Sequence, residues 1–144
     1  MSREEIRRRE GLEEIWGVVI LEVERHGTVV DPATLSAEHD AVVHVITAWN
    51  PASTAVDPAS NIRADAELAA ELVQRSVHAE RCTGMHPEGS WREEGWAIVG
   101  LTREQACELG RHFGQDAVYE VTDACTLVVW CDTGRAVSLS DPPT

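Results

Sequence analysis

The sequence predicts an α+β domain with a ferredoxin-like split βαβ core, two helices on one face of an antiparallel sheet, and extra flanking strands. Three observations carry this expectation. Residues 41–49, AVVHVITAW, form a nearly continuous apolar run rich in β-branched side chains, the pattern of a strand buried on both faces. Two helix-like segments, near 61–77 and 102–113, each lie between strand-like runs. From residue 41 to 121 the order therefore reads strand, helix, strand, strand, helix, strand.

Taken from the start, residues 1–14 (MSREEIRRREGLEE) are almost all charged and form a separate segment, either a solvated helix or disordered. Ile15 to Val23 is apolar and β-branched enough for a first strand, with Glu24-Arg25-His26-Gly27 turning out of it. Thr28 to Asp40 reads as a loop or a short helix after Pro32. The 41–49 strand stops at Asn50-Pro51-Ala52-Ser53, because proline cannot donate to a ladder and asparagine tolerates turn geometry. A helix over about 61–77 follows, capped by Ser60 or Asn61, with Ile62, Leu68, Leu72 and Val73 as its apolar stripe. His78 to Met85 and Trp91 to Val99 form a hairpin around the His86–Ser90 turn. The second helix has Thr102 as N-cap, Gln105 at the capping-box position, and Gly114 as its stop. Strands at 117–121 and 126–131 flank Asp123-Ala124, so that residues 15–133 make one domain and 134–144, with Pro142 and Pro143, a loose tail.

Twelve basic against twenty-five acidic residues give a net charge of -13, which repels phosphate backbones and anionic membranes. Direct nucleic-acid binding is therefore not expected. An acidic surface serves solubility, draws a basic partner, or imitates a nucleic acid. The longest apolar runs fall far short of the roughly 18 residues of a membrane span, and no leader-like stretch precedes residue 16, which points to a cytoplasmic protein. Cys82, Cys107, Cys125 and Cys131 lack CxxC spacing and read as reduced thiols filling a core. Five tryptophans against one Phe and one Tyr are unusual, and an indole often sits at the rim of a pocket.

Strand direction brings the end of the 41–49 strand, the start of the first helix, the 86–90 tip and the loop before residue 117 to one sheet edge. Asn50, Ser53, Asn61, Trp91 and Gln115 meet there. Their neutral donors and acceptors suit a small polar ligand such as a nucleotide base, with Trp49 or Trp91 as a stacking face. A purely structural reading has Asn50 and Asn61 pinning the turn and capping the helix, and Gln115 satisfying backbone groups. Glu93 and Glu94 are adjacent and point to opposite faces of their strand. One of them is expected beside Arg63, Arg92 or Arg111 as a structural pair, or else as a general base with its pKa raised by burial.

His86, Glu88, Glu93 and His112 are the residues a metal would use, but no HExxH or paired CxxC is present and no metal site is expected. His44 reads as a hydrogen-bonded core histidine. No GxSxG and no phosphate-cradling glycine loop occurs, so no cofactor is indicated.

Ile46-Thr47-Ala48-Trp49-Asn50-Pro51 with Ser53, then Asn61, Gly84, Trp91-Arg92-Glu93-Glu94 and Leu109 to Ala117 (LGRHFGQDA) resemble the DUF3293 family over about residues 42–130. That family of small bacterial proteins has no assigned function, so the resemblance transfers no site residue. The leading expectation is a cytosolic domain binding a small polar ligand at the Asn50 edge. The alternatives are an acidic interaction module, inhibitor or nucleic-acid mimic, and a hydrolase using Glu93 or Glu94.

Overall fold

A computed structural model describes residues 1–139. Ser2 accepts from the Glu5 amide at 3.0 Å and starts helix α1 (Arg3–Trp16), so the charged N-terminal segment is helical. The helix runs past the expected start of the first strand, and β1 is Ile20–Arg25 instead. Glu13-Glu14, good helix formers, carry it into the apolar run, and Leu12, Ile15 and Trp16 then fall on one helical face. His26 and Gly27, both left-handed, make a two-residue turn that pairs β1 with β2 (Thr28–Val30) where a loop was expected. Asp31 caps α2 (Pro32–His39), which has proline in its first turn and stops at left-handed Asp40.

Strand β3 (Val43–Thr47) leads through a short 3-10 turn, Pro51–Ser53, to α3 (Pro58–Gln74). The cap of α3 is Asp57, which accepts from the Ser60 amide at 3.1 Å and the Ser60 hydroxyl at 2.6 Å. The helix therefore begins three residues earlier than expected, and Asn61 lies inside it instead of capping it. Ile62 and Val73, expected in the apolar stripe, are 65% and 77% exposed. Of the expected stripe Leu68 and Leu72 are buried, and half-buried Ala64 continues it at intervals of four. Strands β4 (His78–Met85) and β5 (Arg92–Val99) form the hairpin. Thr102 and Gln105 make the reciprocal capping box of α4 (Arg103–His112), followed by β6 (Ala117–Val121) and β7 (Thr126–Trp130). The start of the expected loose tail is instead β8 (Ala136–Ser138), paired with β7. Residues 140–144 lie outside the described residues.

The chain is thus α+β: within the described residues, four α-helices and an eight-stranded antiparallel sheet in the order β2-β1-β4-β5-β3-β6-β7-β8. One face buries Ile46, Ile98, Val118 and Val129 against Leu68 and Leu72 of α3 and Ala106, Cys107 and Leu109 of α4. Each of these leucines contributes roughly 2 kcal/mol by leaving water. The opposite face buries Val23, Val43, Val45, Cys82, Ala97 and Val121 beneath Leu35 of α2. Helix α1 lies over the remainder of that face, where Trp16 packs on Trp130 with ring centroids 5.1 Å apart. His44, fully buried, pairs its Nε2 with Glu120 at 3.0 Å, and burial lowers its pKa. All four cysteines are free, and Cys125 alone is exposed. No helix among the described residues is long and apolar enough to cross a membrane.

Candidate functional site

The site grows from the way β3 ends. Thr47 Oγ1 donates to the Glu94 carbonyl at 2.7 Å and accepts from the Trp49 amide at 3.0 Å, which bends the chain away from the ladder. Asn50, Ala52 and Ser53 then all adopt left-handed backbone, at φ 50°, 55° and 57°. Asparagine takes this conformation readily, whereas alanine and serine each cost about 1 kcal/mol there.

The turn after α4 offsets that strain. The Ala52 amide donates to the Gly114 carbonyl at 2.7 Å, and Gln115 Nε2 donates to the Trp49 carbonyl at 3.0 Å and the Phe113 carbonyl at 3.3 Å. Gly114, at φ 70°, lets the two turns touch: a Cβ there would meet Pro51 Cβ at 2.9 Å. The Asn50-Pro51 and Gly114-Gln115 turns are therefore one clasped unit. Ala52→Gly keeps the backbone and removes the steric cost, offset in part by glycine's larger loss of chain entropy, and is expected to raise the unfolding free energy in urea by about 0.5 kcal/mol.

Asn61 supports this unit from α3. Only 6% exposed, it accepts the Asn50 amide on Oδ1 at 2.9 Å and donates from Nδ2 to Asn50 Oδ1 at 3.0 Å. The Asn50 side chain, fixed at both ends, then donates from Nδ2 to Glu93 Oε2 at 3.1 Å. Asn61, Asn50 and Glu93 form a relay that links a helix, a turn and a strand.

Glu93 is the unusual member. Burial pushes its carboxyl up to about 7, against the opposing effect of the Asn50 hydrogen bond. Of the two glutamates it is Glu94 that takes one of the expected arginines, Arg92 at 3.7 Å, while Glu93 has no arginine beside it among the described residues: Arg63 donates to Ser60 and Arg111 to the Cys131 carbonyl. As expected from alternation along the strand, Glu94 points to the other face. Its neighbour Glu93 opens into a cavity of about 460 Å³ between α1 and the sheet.

Asn50, Ser53, Trp91, Glu93 and Gln115 all line this cavity, as the order of elements implied. Asn61 stands behind Asn50, and Trp49 contributes its carbonyl to Gln115 but is not part of the lining. Val45, Cys82, Tyr119 and Val128 make an apolar floor, and burial raises the Cys82 thiol to about 12 and the Tyr119 hydroxyl above its usual range. His86 and Ser90 add polar groups from the hairpin tip, where His86 Nδ1 accepts from the Glu88 amide at 3.1 Å. His112, the other imidazole weighed as a ligand, packs edge-on against Phe113.

Sequence reasoning missed the roof. Leu12, Ile15 and Trp16 of α1 line the cavity on the side away from the sheet, although no residue of α1 is itself buried. Arg8 pairs with Asp116 at 3.2 Å, Arg9 pairs with Asp132, and Trp130 Nε1 donates to Glu13 at 2.7 Å. Asp116 also accepts from Ser53 Oγ at 2.7 Å, joining roof to rim. Such exposed pairs are each worth less than about 1 kcal/mol and weaken with salt. Amide exchange in α1 is therefore expected to quicken several-fold between low salt and 0.5 M salt on the scale of a shortened Debye length, while exchange in α4 stays unchanged.

The model of a family described as "Protein of unknown function (DUF3293)" matches residues 46–118, a span that contains Asn50, Asn61, Glu93 and Gln115. No curated protein and no solved structure matches the chain.

Proposed function

The chain belongs to the DUF3293 family, and from its site we propose that it is a cytosolic domain binding a small polar, nucleobase-like ligand in the cavity beneath α1. The observation that carries this reading is a carboxyl with one oxygen tied to Asn50 and no cationic partner among the described residues, set in a largely apolar cavity that Trp16 also lines. A carboxylate in that setting accepts from adjacent N–H donors, and Trp16, Trp91 and Tyr119 supply flat surfaces beside it. We read the scaffold as a ferredoxin-like core, strands β4-β5-β3-β6 backed by α3 and α4, with β1, β2, β7 and β8 extending the sheet; the strand order supports this.

A thermal-shift panel of nucleosides, sugars and simple amides on wild type and Asn61→Ala tests the binding reading. A nucleoside should stabilise the wild type and lose most of that effect in the variant. Stabilisation by none of the panel, or an effect untouched by the substitution, would contradict it.

The value of about 7 for Glu93 also supports a second reading, hydrolysis with Glu93 as general base. In that case Glu93→Gln abolishes turnover of the bound compound. The acidic-module reading draws less support, because Asp65, Asp116, Asp132, Glu38, Glu80 and Glu120 are engaged by arginines.

A further inference from the structure

We propose that His39, His78 and Glu80 form a binding site for a divalent transition-metal ion of the zinc class, independent of the cavity beneath α1. His78 and Glu80 are two residues apart on β4, so both side chains stand on the same face of the sheet. That is the face α2 covers, and His39 is the last residue of α2. The two imidazoles meet with ring centroids 4.6 Å apart, and His78 Nε2 lies 2.8 Å from Glu80 Oε2. One ligand atom from each of the three residues falls within 4.8 Å of the others. Adjacent ligands in a tetrahedral shell with bonds of about 2.0–2.1 Å stand about 3.3 Å apart. Small rotations of two exposed imidazoles bring the three donors onto one ion.

The surroundings are built for this carboxylate. Arg25 donates from Nε to Glu80 Oε1 at 2.9 Å and from Nη2 to Oε2 at 3.1 Å, fixing its plane as outer-shell partners of ligating carboxylates do. Glu38 in turn pairs with Arg25 at 2.6 Å. With neutral imidazoles, the two glutamates and one arginine leave a local charge of -1, so a dication is attracted despite the guanidinium. Two imidazole nitrogens and one carboxylate select zinc, nickel, copper or cobalt over magnesium or calcium, whose preference is for all-oxygen shells. Solvent supplies the remaining positions.

The test uses untagged, chelator-stripped full-length protein titrated with cobalt(II) in the visible region and with zinc(II) by calorimetry. One equivalent of cobalt should bind with ligand-field bands typical of low coordination number, and zinc should displace it. His39→Ala and His78→Ala should each weaken binding about tenfold or more, and Glu93→Gln should leave it unchanged. Both histidines are exposed, so the variants should keep the wild-type circular dichroism spectrum. Less than one equivalent bound, or an affinity unmoved by either histidine substitution, would overturn the site.

Discussion

Glu93→Gln is expected to stabilise the protein at pH 8 by about 3 kcal/mol while leaving its stability at pH 4 nearly unchanged. The sign follows from the direction of the shift. The Glu93 carboxyl titrates near 7 in the folded protein and near its ordinary 4.5 when exposed, so the native state holds its proton more tightly. Its favourable contribution is fully present below about 4.5 and is lost as the pH rises through 7. Glutamine keeps an acceptor for Asn50 Nδ2 and never ionises. The measurement is urea denaturation of both proteins across that range, read as a difference so that the other carboxylates cancel. The same titration reaches the ligand: a base presenting two N–H donors engages the ionised form, and its affinity should rise about tenfold from pH 6 to pH 8.

Asn61→Ala is the second large effect, a loss of about 2–3 kcal/mol, seen as a fall of about 5–10 °C in melting temperature. The substitution strands the Asn50 amide, whose acceptor is Asn61 Oδ1, and leaves Asn50 Oδ1 with only the longer bond from Val56 at 3.3 Å. A buried donor without a partner costs more than the bond was worth. The left-handed turn loses its main support at the same time, so Asn50 no longer presents its amide to Glu93. Asn61→Asp keeps the acceptor but sets a carboxylate oxygen against Asn50 Oδ1, and should recover only part of the loss.

Much of this site could be read from order alone. Asn50, Ser53, Trp91 and Gln115 converge because β3, α3, the β4–β5 hairpin and α4 follow in a sequence that puts their connections on one edge. The opposite faces of Glu93 and Glu94 needed only the two-residue period of a strand. The roof was hidden because Leu12, Ile15 and Trp16 run straight into Gly17-Val18-Val19-Ile20, and one apolar stretch serves first as a helical face and then as a strand. The cap of α3 was misplaced because Asp57-Pro58 and Ser60-Asn61 offer competing signals, and proline in the first turn decides for the earlier one. That Glu93 is largely buried, has no arginine beside it among the described residues and shares its cavity with α1 is a tertiary fact with no local signature. The histidine pair is similarly diffuse, since His39 reaches His78 only through the docking of α2 on the sheet.

The central claim is that the relay from Asn61 through Asn50 to Glu93 serves a ligand in the cavity under α1. It is tested most directly by two-dimensional ¹H–¹⁵N NMR of the full chain titrated with guanosine, cytidine, adenosine and uridine. The prediction is a saturable shift, with at least one of them, of the Asn50 and Gln115 side-chain amides and the Trp16 and Trp91 indoles, abolished in Asn61→Ala. Shifts scattered over the acidic surface, or none at these groups with any of the four, would contradict the account.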